Sequence, residues 1–213
     1  MTGKLIIFEG VEGCGKTSQM QLCAQWLESL GIPVLMTREP GGTELGLHLR
    51  RILLNNPENL PISQVTELLL YAADRSQHVA QELKPHLAAG KYILCDRYTH
   101  STTAYQGYGR GLNINLINQL NHIATDGLVS DLTIWLDVDV EVGLARKQAA
   151  TGGLDRIEQE TIAFHRRVQQ GYADLAALYP SEIVRVDGSL SPEAVQQVIQ
   201  KILRQRLQLL NCT

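Results

Sequence analysis

The chain has 213 residues, a formal net charge of -3, a hydrophobic share of 44% and four cysteines. This acidic balance excludes a broad basic surface for nucleic acid, and no apolar run reaches the ~18 residues that span a membrane. The N-terminus lacks the apolar segment of a secretory signal, and the cysteines are scattered as in proteins of a reducing compartment. We therefore expect one cytoplasmic domain over residues 1–213, with neither nucleic acid nor membrane as a partner.

Short runs rich in isoleucine, leucine and valine alternate with amphipathic segments along the chain. The apolar runs predict buried strands at residues 4–9, 33–37, 91–96, 132–138 and 183–186. The amphipathic segments predict helices at residues 17–30, 43–54, 65–87, 115–125, 140–149, 156–178 and 192–207. This alternation is typical of βαβ crossovers. We predict an α/β fold of three layers, in which helices cover both faces of a five-stranded parallel sheet.

A glycine-rich loop follows the first predicted strand and opens the first helix. Residues 10–17 read GVEGCGKT, which fits the phosphate-loop pattern G-x-x-x-x-G-K-[ST]. Its backbone N–H groups and the helix N-terminus can surround phosphate oxygens, and the same helix end predicts a lowered pKa for Cys14. Lys16 should reach the β- and γ-phosphates, and Thr17 should bind Mg²⁺. The predicted ATP-binding residues are Gly10, Val11, Glu12, Gly13, Cys14, Gly15, Lys16 and Thr17.

The loop alone does not identify the reaction. The chain contains neither the N-K-x-D motif of GTPases nor a long apolar strand ending in Asp-Glu, as motor ATPases have. Its size suits a kinase for a small acceptor. A kinase for another deoxynucleotide or a nucleoside, and a nucleotide-binding module without turnover, remain alternatives.

The segment YILCDRY places two charged residues directly after the third predicted strand. Ligands bind at the carboxyl ends of strands in open α/β sheets. Asp96 is therefore a candidate to hold Mg²⁺ through a water molecule. Arg97 is a candidate to bind phosphoryl oxygens through two parallel hydrogen bonds.

Paired glycines at positions 152 and 153 lie between two predicted helices, in the segment AATGGL. Glycine favours turns and backbone freedom. This predicts a mobile flap near residues 146–157.

Seven motifs occur together, in an order that is far more specific than the phosphate loop. They are FEGVEGCGKT, TREPGG, YAADRSQH, DRY, AYQGYGRG, DLTIWLDV and LDRIE. With them the chain resembles the thymidylate kinase family over nearly its whole length. The resemblance implies a P-loop nucleoside monophosphate kinase fold, usually a homodimer. It also implies Mg²⁺-dependent transfer of the γ-phosphoryl group of ATP to dTMP, which yields dTDP and ADP for dTTP synthesis.

The resemblance further implies roles for individual residues. Arg97 would hold the acceptor phosphate, and Glu12 would face the deoxyribose 3′-OH. Tyr71, where the family usually has phenylalanine, would stack on thymine, and Arg75 would bind the base edge. Tyr105 would fill the space of a 2′-OH. The remaining substrate-binding candidates are Arg38, Pro40, Ser101, Thr102 and Gln106, with a cis peptide expected at Pro40.

In this family, the arginine that meets the transition-state charge lies either in the phosphate loop or in the flap. The loop interior here, residues 11–14, holds no basic residue. The resemblance therefore implies that the flap supplies this arginine to act with Lys16. Arg146 and Arg156 are the two candidates, and the sequence leaves the choice between them open.

Overall fold

The computed structural model describes residues 2–55, 61–151, 153 and 155–209. Its strands are β1 (Lys4–Glu9), β2 (Val34–Arg38), β3 (Tyr92–Asp96), β4 (Leu132–Asp137) and β5 (Ile183–Asp187). All neighbouring strands are parallel, in the order β2–β3–β1–β4–β5. The predicted five-stranded parallel sheet is confirmed.

Helices pack around this sheet. They are α1 (Lys16–Ser29), α2 (Glu44–Arg50), α3 (Gln64–His78), α4 (Lys84–Ala88), α5 (Thr99–Thr102), α6 (Ile114–Thr125), α7 (Val140–Thr151), α8 (Ile162–Leu178) and α9 (Pro192–Arg206). Three wide π-helical segments, Arg51–Asn55, Val79–Leu83 and Thr103–Gly109, continue α2, α3 and α5. Within the described ranges, no helix is long and apolar enough to cross a membrane.

Two stretches differ from the helices predicted from the sequence. The helix predicted to begin at residue 156 begins at Ile162 instead. The Asp155 carboxylate accepts hydrogen bonds from the backbone N–H groups of Ile157 and Glu158, and Thr161 caps α8 through the N–H of Phe164. Aspartate and threonine thus hold a turn before the helix. The second stretch, residues 99–109, is helical although no helix was predicted there.

The sheet is apolar on both faces, which explains its continuous hydrophobic strands. Ile6 and Phe8 of β1 face the larger core cluster, whereas Leu5 and Ile7 face a smaller cluster that contains Val79. All four β1 side chains have no exposed surface. Side chains that alternate between two buried faces fix the strand register, and thus the positions of the loops after the strands.

Candidate active site

A cavity of about 1050 Å³ opens at the carboxyl end of the sheet. One end lies against the phosphate loop, α7 and the loop between β5 and α9, where Arg146, Gly188 and Leu190 line it. The other end lies between the loop after β2, helix α3 and the π-helical segment Thr103–Gly109. Its volume is at the upper end of small-molecule sites and leaves room for more than one ligand.

The phosphate loop has the backbone geometry that its glycines predict. Gly10, Gly13 and Gly15 have φ angles of 137°, 68° and 96°, values that residues with a Cβ rarely adopt. The Lys16 ammonium group donates to the carbonyl oxygens of Gly10 and Val11, at 3.1 and 3.2 Å. Lys16 therefore lies across the loop, beside the nest of N–H groups that would hold phosphates.

Cys14 differs from its predicted chemistry. It is buried within the loop, and burial raises the pKa of its thiol although Lys16 opposes this effect. Its sulfur lies 3.6 Å from the Lys16 ammonium nitrogen. The prediction of a lowered Cys14 pKa was wrong, because desolvation of the thiolate outweighs the nearby positive charge.

Arg97 occupies the junction between the phosphate loop and the other end of the cavity. Its φ angle is 75°, a left-handed conformation that costs on the order of 1–3 kcal/mol in a residue with a side chain. Its guanidinium group donates to the Glu12 carboxylate at 2.5 Å and to the hydroxyl groups of Ser101 and Tyr172 at 3.2 and 3.3 Å. The strained turn thus aims the side chain into the cavity and holds it there.

The Glu12 carboxylate joins two further predicted residues. Burial alone would raise the pKa of Glu12, but the charges of Arg97 and Lys16 hold it below its ordinary value. The Tyr105 hydroxyl donates to the other Glu12 oxygen at 2.6 Å, and the Arg97 guanidinium carbon lies 4.9 Å from the centre of the Tyr105 ring. The structure therefore brings Glu12, Arg97 and Tyr105 together.

Glu9 and Tyr172, which the sequence analysis missed, form hydrogen bonds that support Arg97 and its neighbours. Glu9, at the end of β1, is buried, and its carboxylate accepts from the backbone N–H groups of Tyr98 and Ser101 and from the hydroxyl groups of Ser101 and Tyr172. These bonds fix the chain that directly follows Arg97. A charged residue inside an apolar strand was the available signal for Glu9.

Tyr71 and Arg75 lie one turn apart on α3, and both line the cavity. The side chain of Arg75 is only 3% exposed. Its Nε donates to Glu39 at 2.7 Å, one terminal nitrogen donates to Thr102 and Asn121, both at 2.8 Å, and the other donates to the carbonyl oxygen of Tyr98 at 2.9 Å. Four of its five N–H groups are thus committed, which leaves one for a ligand.

The loop after β2 is fastened to α3 through buried charged residues that were not predicted. Glu39 also contacts His78 at 2.9 Å, and His78 contacts Thr37 at 2.7 Å. Asp74 accepts from the N–H of Gly41 at 2.9 Å, and burial together with the charge of Glu39 raises the pKa of Asp74 to about 6. These contacts hold the loop against the cavity.

The same loop also carries the predicted cis peptide and the predicted Arg38. The bond between Glu39 and Pro40 is cis, as expected, and Arg38 and Pro40 line the cavity. Arg50 of α2, which was not predicted, donates to the Pro40 carbonyl oxygen at 2.9 Å. Burial, reinforced by repulsion from Arg38, lowers the pKa of Arg50. Two cations therefore lie close together at this wall.

The two candidate flap arginines lie in different surroundings. Arg146 lines the cavity, and its guanidinium donates to the Gly188 carbonyl oxygen at 3.3 Å. Arg156 donates instead to the carbonyl oxygen of Leu53 at 2.7 Å and to Glu67 at 2.5 Å, and it is absent from the described cavity lining. Positions 152 and 154 of the predicted flap lie outside the described residues.

The residues predicted to bind magnesium both lie at the cavity. Asp96 and Thr17 both line it, and Asp96 Oδ1 is buried without a hydrogen-bond partner among the described residues. Within the same ranges, no group of three or more His, Cys, Asp or Glu residues could hold a metal. One carboxylate and one hydroxyl are the few protein ligands that Mg²⁺ needs when nucleotide phosphates supply others. The residues therefore fit this ion.

Comparisons with known proteins agree with this geometry. The sequence model of the thymidylate kinase family matches residues 8–199. The chain belongs to this family. It is 81% identical to the thymidylate kinase of Nostoc punctiforme over 97% of this chain and 98% of that one, and 76% identical to that of a Nostoc species over 95% and 96%.

A solved structure extends the agreement to the fold. The crystal structure of thymidylate kinase from Ehrlichia chaffeensis matches with a TM-score of 0.77 and 32% identity, over 95% of this chain and 100% of that one. The predicted family and the P-loop kinase fold are confirmed. The chain is thus a nucleoside monophosphate kinase, a phosphotransferase that converts dTMP to dTDP with ATP.

Proposed function

We propose that the γ-phosphoryl group moves from ATP on the phosphate loop to dTMP at the α3 end of the cavity, past Arg97. The observation that carries this proposal is the position of Arg97, held by Glu12 of the phosphate loop and by Ser101 of the acceptor wall. An arginine at this junction can bind phosphoryl oxygens of both substrates. Alignment of two bound groups lowers the barrier to their reaction.

At the donor end, we assign the triphosphate to the phosphate-loop N–H groups and to Lys16. Thr17 and Asp96 would hold Mg²⁺, which would neutralise charge on the donor phosphates when bound. Lys16 would exchange its bonds to the Gly10 and Val11 carbonyl oxygens for bonds to phosphate oxygens. This exchange keeps the ammonium group satisfied before and after ATP binds.

At the acceptor end, Tyr71 would stack on thymine, which contributes ~1–3 kcal/mol and discriminates little between bases. The remaining N–H of Arg75 and the amide of Gln106 would select thymine over cytosine. The Gln106 Nε2 donates to Glu67 at 2.9 Å, which turns its amide oxygen away from that carboxylate. Ser101 and Thr102 complete this wall, and Arg38 and Arg97 bring positive charge to the acceptor phosphate.

Two contacts would set sugar specificity. The Glu12 carboxylate would face the 3′-OH, and the Tyr105 ring would occupy the space of a 2′-OH. Tyr105 is 6% exposed and its hydroxyl is bonded to Glu12, so its ring has little freedom to move aside. A ribonucleotide would therefore meet a steric cost that the deoxyribonucleotide avoids.

We assign the neutralisation of transition-state charge to Arg146 and Lys16. Arg146 borders the cavity, and Arg156 would act by fixing residues 155–160 to the π-helical segment Arg51–Asn55. Phosphoryl transfer needs mainly positioning and charge stabilisation, so an arginine at this place contributes ~10³–10⁵ in rate.

A panel of acceptors tests the proposal. ADP release from ATP and Mg²⁺ is measured with dTMP, dUMP, ribosyl TMP, dCMP, dGMP and thymidine in separate assays. We expect strong release with dTMP, weaker release with dUMP, because one methyl group is worth only ~1–3 kcal/mol, and little with the others. Equal release with thymidine would contradict the role of Arg97, and equal release with ribosyl TMP that of Tyr105.

We further propose a cytoplasmic homodimer joined through α3. Val65 and Leu69 of α3 are 49% and 50% exposed and lie one turn apart, and α2 and α6 beside them expose Leu45 and Ile123. Exposed apolar side chains on three adjacent helices are what a second copy of the same surface would cover. Leu69→Lys should give a monomer in light scattering, whereas Leu178→Lys, on an equally apolar exposed site of α8, should leave a dimer. A wild-type monomer would exclude this proposal.

A further inference from the structure

Gly143 of α7 lies in direct contact with the phosphate loop. A Cβ atom built on Gly143 would lie 2.3 Å from the carbonyl oxygen of Glu12, and one built on Gly13 would lie 1.9 Å from the carbonyl oxygen of Gly143. A real Cβ atom essentially never lies so close to a carbonyl oxygen. Two backbone segments therefore meet here because both carry a glycine at the contact.

The backbone conformation does not explain the glycine at position 143. Gly143 lies in the first turns of α7, and its N–H donates to the carbonyl oxygen of Asp139 at 2.9 Å, as in an ordinary helix. A glycine inside a helix costs ~1 kcal/mol relative to alanine. The close approach to Glu12 is the observation that accounts for its presence.

The same face of α7 carries cationic side chains. Residues three and four positions after Gly143 are Arg146 and Lys147, and such neighbours lie on one face of a helix. Both line the cavity. The surface that rests on the phosphate loop is therefore continuous with the surface that presents these cations to the donor phosphates.

We propose that Gly143 is a positioning residue, which lets α7 rest on the phosphate-loop backbone and thereby sets the height of Arg146 over the transferring phosphoryl group. The inference rests on the role given above to Arg146. A methyl group at position 143 would push α7 and the loop apart. Because a misplacement of about 1 Å can cost ~10²-fold in rate, the effect should be seen in kcat.

The test is a double-mutant cycle with Gly143→Ala, Arg146→Ala and the combined variant. We expect Gly143→Ala to lower kcat at least ~10-fold and to leave the KM for dTMP within about twofold. The combined variant should be no slower than Arg146→Ala alone, because the methyl group acts through an arginine that is then absent. Val142→Ala, at an exposed neighbouring position of α7, is the matched control and should retain wild-type kcat.

Several outcomes would overturn the inference. Wild-type kcat in Gly143→Ala together with a raised Tm would mean that only helix propensity changed. Additive losses in the cycle would mean that Gly143 does not act through Arg146. A raised KM for dTMP at unchanged kcat would mean that the added methyl group disturbs Glu12 and Arg97 rather than Arg146. The wild-type enzyme in the same series tests the proposed function separately, since its turnover with dTMP is measured whatever the result for Gly143→Ala.

A second measurement needs no variant, and it keeps the inference testable should Gly143→Ala fail to fold. Hydrogen–deuterium exchange of the wild-type chain is followed with and without a non-hydrolysable ATP analogue. If α7 rests on the loop, the analogue should slow exchange at residues 143–147 as well as at residues 10–17. Protection of the loop alone would overturn the inference.

Discussion

The two ends of the cavity are built in different ways. At the acceptor end, the side chains of Arg75 and Glu39 are each 3% exposed, and Arg75 makes four hydrogen bonds. At the donor end, Arg146 is exposed and makes a single hydrogen bond of 3.3 Å among the described contacts. The acceptor pocket is therefore preorganised, whereas Arg146, in the role proposed above, would gain most of its partners from substrate.

This difference follows from what each end has to do. Selection of one base requires polar groups fixed in place, since an unpaired buried donor or acceptor penalises the wrong ligand. Stabilisation of charge that exists only in the transition state requires a cation free to exchange its partners. Four predictions test this contrast, starting with the largest expected effect.

The flap arginines should separate the two kinds of role. Arg146→Ala should lower kcat by ~10³-fold or more with an unchanged Tm, because in the proposed mechanism its charge faces the transferring phosphoryl group. Arg156→Ala should keep kcat within about tenfold but lower the Tm, because Glu67 would lose one of its arginine partners. Steady-state ADP release and thermal melting of both variants provide the comparison.

The opposite pattern would reverse the assignment. If Arg156→Ala were the slower enzyme at unchanged stability, Arg156 would leave Glu67 when substrates bind. Arg110, which also contacts Glu67, at 3.1 Å, provides the control. Arg110→Ala should resemble Arg156→Ala in stability, since both remove a cation from the same buried carboxylate.

The Glu39 cluster should dominate stability at the acceptor end. Glu39→Gln removes the charge that pairs with Arg75 and contacts His78, and breaking a buried pair costs about 3–5 kcal/mol. Glu141→Gln, in the exposed pair with Arg166, should change stability by less than about 1 kcal/mol. Urea unfolding measures the free energy of unfolding of both variants. Similar losses would show that the buried cluster contributes no more to stability than the exposed pair does.

Much of this architecture could be predicted from the sequence. The strand ends were predicted within one residue because each strand is a short apolar run covered on both faces, as Leu5 and Ile6 illustrate. The phosphate loop and Arg97 carry local patterns, since their function depends on residues close together in the chain. Motifs of such short range can be recognised without knowledge of the fold.

Other features depend on contacts that the sequence does not display. Glu9 reaches Tyr172 across 163 positions, and Arg75 reaches Asn121 across 46. The helical conformation of residues 99–109 also depends on tertiary contacts, because the glycines and aromatic residues of this segment have a low intrinsic helix propensity. The sequence placed Arg146 and Arg156 in one flap, and only the fold shows that Arg156 is bonded to Glu67.

Asp74 predicts a pH dependence at the same acceptor wall. Its pKa is raised to about 6, above the ~3.9 of an unfolded chain, so the folded state binds more protons between these values. Its contribution to stability is therefore present at about pH 4 and is lost as the pH rises through 6. Asp74→Asn keeps an acceptor for the Gly41 N–H and cannot ionise.

The stability of Asp74→Asn relative to wild type should accordingly rise by up to about 3 kcal/mol between pH 4 and pH 7. Urea unfolding of both proteins at several pH values measures this difference. A difference that does not change with pH would mean that Asp74 ionises in the folded state as easily as in water. Ser76→Ala, at an exposed site on the same helix, should show no such trend.

Tyr71 should give the smallest effect. Burial raises the pKa of its hydroxyl, and no described residue forms a hydrogen bond with it, so the group stays neutral and adds little to base binding. Tyr71→Phe should therefore leave the KM for dTMP within about threefold, because the ring that stacks is retained. Tyr71→Leu removes the ring and its ~1–3 kcal/mol, and should raise that KM by about 5- to 150-fold. If both variants raised the KM equally, the hydroxyl rather than the ring would hold the base, and the preorganised wall would extend to Tyr71.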